Sequence, residues 1–149
     1  MDALKLLKQD HETIKDLFDK IELDQDTISR KGTFEQIRQE LLHHSDLEET
    51  VFYPACERHT EMTDLILQSY EDHQELRLNL DELHRERNQD HFDELIMEMI
   101  EDVRDHIATE ELDVFRLVRT VMSEAEFNQL SQAMTEYKYK TSGNDLEAA

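Results

Sequence analysis

The sequence matches itself at a distance of 62 residues, and the match involves polar as well as apolar positions. Shifted by that amount, Asp10-His11 falls on Asp72-His73, His44 on His106, and Glu48-Glu49 on Glu110-Glu111. The apolar residues keep the same register: Phe34 falls on Ile96, Ile37 on Met99 and Leu41 on Val103. A chain of this kind is constrained to fold as two related halves.

Each half reads as a helical hairpin. Leu4, Leu7, His11, Ile14, Phe18 and Ile21 step by three and four, which predicts a helix from about residue 3 to the low twenties. Asp24 to Gly32 is polar and reads as a connection, with helix two starting near Thr33. Its seam is Phe34, Ile37, Leu41, His44, Glu48, Val51 and Ala55, and Pro54 is expected to kink or loosen its last turn. His59 to Thr63 reads as a turn in which Thr60 or Thr63 caps helix three. Helix three carries Ile66, Ser69, His73, Leu76, Leu80 and Leu83. After a turn at Asn88-Gln89-Asp90, helix four carries Phe92, Ile96, Met99, Val103, His106, Glu110, Leu117 and Val121. Ser123 and Glu126 form a capping box for a shorter fifth helix through about Tyr139, with Phe127, Leu130 and Met134 on one side. The expected fold is all-α. Two similar hairpins form an up-down-up-down four-helix bundle with a short C-terminal fifth helix. Residues 1–140 make one domain, and 141–149 read as a disordered tail.

Composition agrees. Two Gly and one Pro supply too little turn chemistry for a barrel or sandwich of many short strands. Lys and Arg total 16 against 37 Asp and Glu, a formal charge of -21. Such a surface repels phosphate backbones and anionic lipid, so neither nucleic acid nor membrane is an expected partner. A single cysteine, Cys56, excludes an intrachain disulfide and fits a reducing compartment. With no apolar stretch in the first residues to act as a signal peptide, the expected location is cytoplasmic.

The repeat also sorts the eight histidines. His11, His44, His73 and His106 have repeat partners and lie on the seams. His43, His59, His84 and His91 have none and read as surface residues. The four paired His and the paired Glu48 and Glu110 occupy positions where a bundle core calls for Leu or Ile. An unpaired buried carboxylate costs several kcal/mol, and two facing ones repel. Bound cations reverse that penalty. His44/Glu48 and His106/Glu110 are i, i+4 pairs, about 40° apart around the helix axis, so each pair shares one face. The donor set is nitrogen and oxygen without thiolate, which suits iron, manganese or zinc. Six donors suit two metals bridged by Glu48 and Glu110, with His11 and His44 on one and His73 and His106 on the other. A solvent-derived oxygen could complete the bridge. Glu49 and Glu111 lie about 140° around the helix from His44 and His106 and read as flank residues, with a hydrogen bond to a ligand His as the functional option.

These residues resemble the hemerythrin-like family, the HHE cation-binding domains. The resemblance rests on Asp10-His11-Glu12, His44-Ser45-Asp46-Leu47-Glu48-Glu49 with Phe52-Tyr53-Pro54, Asp72-His73, and His106-Ile107-Ala108-Thr109-Glu110-Glu111 with Val114-Phe115. It implies a non-haem centre of two Fe ions, oxo- or hydroxo-bridged, with Mn or Zn as substitutes. The iron ligands it implies are His11, His44, Glu48, His73, His106 and Glu110. The small molecules it implies are O2, peroxide or NO, to be bound, sensed or detoxified, or else iron itself is handled. Two departures argue against reversible O2 carriage. Arg77 stands where the carriers have a further His on helix three, and Glu110 precedes by one residue the place of their Asp. A ferritin-like site needs Glu-x-x-His on two helices, and only Glu40 with His43 supplies one.

No acid, base or nucleophile constellation points to hydrolysis, so any turnover is redox chemistry at the metals, such as peroxide or NO handling. The alternative is a metal-free acidic helical interaction module with satisfied core histidines. A third reading makes the domain a regulatory sensor whose fifth helix docks a partner, against the simpler expectation that this helix packs on the bundle. Tyr53 and Tyr70 are candidates to bring a hydroxyl to the surroundings of the site, but spacing does not place them. The six Met read as core filler.

Overall fold

A computed structural model describes residues 1–148 in backbone and residues 1–142 also in side-chain burial. Helix α1 (Ala3–Leu23) is capped by Asp2, whose side chain accepts from the Lys5 amide. Helix α2 (Thr27–Leu47) runs on through a π-helical turn (Glu48–Phe52) into Tyr53–Cys56. A 3-10 turn (Thr60–Met62) leads to α3 (Thr63–Arg85). Helix α4 (Gln89–Thr109) passes through a second π-helical turn (Glu110–Val114) into Phe115–Val121. Helix α5 (Glu124–Ala148) follows. The first four helices form the up-down-up-down bundle expected from the repeat, and α5 packs against α1 and the end of α2.

Two helix starts differ from expectation. Helix α2 begins at Thr27, not near Thr33, because Asp26 caps it: its carboxylate accepts from the Ser29 amide at 2.8 Å. A good cap lets a turn form whose side chains are all polar or exposed, such as Ile28 at 84%. Helix α4 starts at Gln89, capped by Asn88 through the His91 amide. At α3 neither Thr60 nor Thr63 is the cap. Met62 holds that position without a side-chain bond, and the preceding 3-10 turn supplies the entry. Ser123 does cap α5 through the Glu126 amide at 3.1 Å, but the Glu126 carboxylate turns away to His59.

The π-helical turns change the reading of the seams. In each, one amide bonds five residues back, Tyr53 to Glu48 and Phe115 to Glu110, which inserts one residue into the α-helical ladder. Beyond that point the buried stripe slips by one position. Phe52, Tyr53 and Cys56 are buried, while Val51 and Ala55 are only partly so. In α4, Val114, Phe115 and Val118 are buried where the spacing pointed to Leu117 and Val121. Pro54 is not the cause, because the same turn forms in α4, where exposed Arg116 takes its place.

The core divides into two apolar clusters. One holds Leu4, Leu7, Phe52, Tyr53, Met62, Phe115 and Met134; the other holds Ile14, Phe18, Phe34, Ile37, Leu80, Phe92 and Ile96. Along every helix of the bundle the paired polar residues fall between them. Helix α5 joins the first cluster through buried Leu130 and Met134, as the packing expectation required, and continues beyond Tyr139. The backbone of 141–148, expected as a disordered tail, continues α5, while side chains from Gly143 onward, and Ala149 altogether, lie outside the described residues.

The slipped register gives a direct check. Phe52→Ala should cost about 3–5 kcal/mol of stability, and Val51→Ala roughly 1 kcal/mol or less, by urea unfolding at one fixed metal state. An uninterrupted α-helix would reverse the order.

Candidate metal centre

The π-helical turns begin at Glu48 and Glu110, the two inward carboxylates. Both are essentially fully buried. Around them the bundle brings together all six residues singled out from the sequence. His44 Nε2 lies 3.1 Å from Glu48 Oε1, and His73 Nε2 lies 3.3 Å from the same oxygen. His11 Nε2 lies 3.2 Å from Glu110 Oε1 and 3.2 Å from His44 Nε2. His106 Nε2 lies 3.5 Å from Glu110 Oε2.

Each imidazole is gripped on its other nitrogen by a carboxylate from a neighbouring helix. Asp10 accepts from His44 Nδ1 and Asp72 from His106 Nδ1, both at 3.0 Å. Glu49 accepts from His73 Nδ1 at 3.0 Å and Glu111 from His11 Nδ1 at 2.6 Å. These four bonds link α1 to α2, α2 to α3, α3 to α4 and α4 back to α1, a closed ring around the bundle. Donation from Nδ1 fixes the tautomer that turns Nε2 inward as a ligand lone pair.

The ring decides between the two readings of Glu49 and Glu111 in favour of the functional option, since from their flank positions they hold His73 and His11. It also assigns Asp10 and Asp72, which sequence reasoning matched in the repeat but gave no role. Their signal was that match itself, one residue before each His of α1 and α3. Arg77 does not face the centre. Its guanidinium bonds both oxygens of Glu49. The departure from the carriers' pattern thus buttresses the carboxylate behind His73. Tyr53 is the residue the sequence left without a contact. Its hydroxyl donates to Glu110 Oε2 at 2.9 Å and lies 3.2 Å from both Glu48 Oε1 and His73 Nε2. The slipped register brings it there. None of His59, His84 and His91 joins the cluster; they pair with Glu126, Glu35 and Glu86. Cys56 is buried in the first apolar cluster, and burial raises its thiol pKa.

The donors fit cations. Among the described residues, ligand atoms of His11, His44, Glu48 and Glu110 lie within 4.8 Å of one another, as do those of Glu48, His73 and His106. Glu48 belongs to both groups. Glu48 Oε2, Glu110 Oε1 and His106 Nε2 are buried and accept or donate no hydrogen bond. Buried polar atoms are rarely left so, and these three belong to residues of the two donor groups, which marks a site for cations.

A family model described as the hemerythrin HHE cation-binding domain matches residues 2–118. The chain belongs to that family. No curated protein sequence matches it. A hemerythrin HHE cation-binding domain-containing protein from Mycobacterium kansasii, known from its crystal structure, superposes with a TM-score of 0.82 at 22% identity. The superposition covers 99% of this chain and 91% of that one, and at that identity it speaks for the fold. Family membership and the buried His/Glu cluster together make this a cation-binding HHE domain.

Without a cation, protons do the balancing. Burial pushes His44, His73 and His106 down, but the adjoining carboxylates outweigh it and leave all three raised, His106 to about 9. Burial likewise pushes Glu49 up, and its bonds from His73 and Arg77 bring it down to about 2. Glu110 ends well below the usual carboxylate range despite its burial, held there by Glu48, His106 and His11 beside it. The raised histidines stabilise the metal-free fold fully below their ordinary value of 6.5, and that contribution fades as pH climbs through the raised values. The lowered carboxylates contribute above 4.5 and lose their effect as pH falls. Metal-free protein should therefore melt lower at about pH 9.5 than at about pH 6. Metal-loaded protein should gain stability from about pH 5 to about pH 7, because cations compete with protons for the same imidazoles. Thermal scans of both forms across pH check the opposite slopes.

Proposed function

We infer that this HHE domain holds a non-haem di-iron centre and meets O2, peroxide or NO there. The observation that carries the reading is the pair of donor groups sharing Glu48, one with His11 and His44, the other with His73 and His106. A shared carboxylate between two His pairs is what two adjacent cations need.

Charge supports the count of two. Six carboxylates (Glu48, Glu110, Asp10, Asp72, Glu49 and Glu111) meet two cationic side chains here, Arg77 on Glu49 and Lys138 on Asp10. With neutral imidazoles four negative charges remain, which two dications neutralise. Imidazole and carboxylate donors suit iron, with manganese or zinc as substitutes. When bound, the two irons supply open coordination positions and the electrons for small-molecule redox chemistry.

The chain's own residues prepare the place. A cavity of about 280 Å³ reaches His44, His73 and His106 between apolar walls that include Leu41, Leu76 and Met99. Its lining also includes the exposed Glu75, Asp102 and Asp105, so it offers a small molecule a route from solvent to the centre. Tyr53 keeps its proton, since burial and the Glu110 and Glu48 carboxylates hold its pKa well above the ordinary value. It uses that proton to hold the Glu110 carboxylate in place. Among the described residues no helix is long and apolar enough to cross a membrane. The proposed setting is cytoplasmic, on the single cysteine Cys56, and away from nucleic acid and anionic lipid, on the formal charge of -21.

Protein expressed with ample iron should carry about two irons per chain and show the absorption of a coupled diferric pair. His44→Ala should lower metal content and melting temperature together, with metal affinity down roughly 10-fold or more. A metal-free acidic module predicts instead no bound iron and a melt indifferent to chelator.

A further inference from the structure

The 62-residue repeat is broken at several points around the centre, where Tyr53 falls on Phe115 and Arg77 on Lys15, and one break lies behind a pair of matched aspartates. Asp10 and Asp72 are repeat partners, and each holds the histidine of the next helix. Their second oxygens meet different groups. Asp72 Oδ1 accepts from the neutral Gln68 amide at 2.9 Å, within α3 itself. Asp10 Oδ1 meets the ammonium of Lys138, which comes from α5 and lies outside the repeat.

Helix α5 is fixed where this contact needs it. Met134, one turn before Lys138, is fully buried. Ser131 Oγ accepts from the Ala3 amide at 2.8 Å, joining α5 to the first turn of α1. Asp10 therefore sits between a histidine of α2 and a lysine of α5, with 11% of its side chain exposed.

We propose that Lys138 is a positioning residue of the metal centre, acting on His44 through Asp10, so that α5 sets one of the two metal positions apart from the other. The inference rests on the di-iron reading for its consequence, though not for its geometry. Lys138 anchors one carboxylate oxygen, which leaves the other aimed at His44 Nδ1. Without that anchor the Asp10 carboxylate is free to turn toward water, and the imidazole loses the bond that fixes its tautomer. Removing a positive charge would also favour a nearby cation, but the ammonium is 40% exposed and solvent screens it. The loss of orientation is the larger effect. His106, whose carboxylate is held by Gln68, should be indifferent to Lys138.

The test uses the full chain with Lys138→Met, which keeps the aliphatic stem, and Lys138→Arg, which restores the charge. In metal-free protein, proton–nitrogen NMR should show the His44 Nδ1–H resonance displaced in Lys138→Met, His106 Nδ1–H unmoved, and recovery in Lys138→Arg. Stepwise Co2+ titration should show one equivalent weakened roughly 10-fold and the other changed less than about 2-fold. In an Asp10→Asn background, adding Lys138→Met should change nothing further. The proposal is overturned if the His44 resonance stays in place, if both equivalents weaken together, or if neither does. Should the unaltered chain bind no metal, the di-iron reading and the proposed metal consequence fail, while the NMR comparison still decides whether Lys138 positions His44.

Discussion

The bundle depends on a single kind of contact, the hydrogen bond between a buried imidazole and a carboxylate on the next helix. Four such bonds close a ring through α1, α2, α3 and α4. Inside the ring, Glu48 and Glu110 face the imidazoles' inner nitrogens. Each of these groups would be costly to bury alone. Together they satisfy one another on the outside and present a concentrated negative charge on the inside. The arrangement turns the least favourable layer of a helical core into a cation-binding one, and fixes helix order and register in doing so.

Much of this was legible in the sequence because the repeat is chemical as well as hydrophobic. The six inward residues could be named from their place on the seams, since a period of three and four defines an inward direction. What escaped has a physical reason in each case. Glu49 and Glu111 lie far around the helix from the inward face, so spacing offered a histidine bond only as their second reading; a bundle helix has two neighbours, and a flank position faces one of them. Arg77 could be recognised as a departure from the carriers' pattern but not given its contact with Glu49, since spacing along one helix does not show what stands behind the next.

The π-helical turns are the main feature that periodicity could not show. An amide bonded five residues back changes no residue type, so nothing in the composition of Glu48–Phe52 or Glu110–Val114 announces it. Its effect is nonetheless decisive. It turns Tyr53 inward to the metal layer and sets Phe115 parallel to the His11 ring, 6.0 Å between centroids. The start of α2 was missed for a different reason. Thr27 to Gly32 has no buried face worth reading, and its helix follows from the Asp26 cap.

The division of the core into two apolar clusters bears on how the molecule holds together mechanically. Most bundles transmit order from end to end through one continuous greasy stripe. Here each helix crosses a charged stratum midway, so the halves communicate across ion pairs and whatever ion they enclose. Filling that stratum would act as a rivet, and emptying it would let the two ends breathe separately.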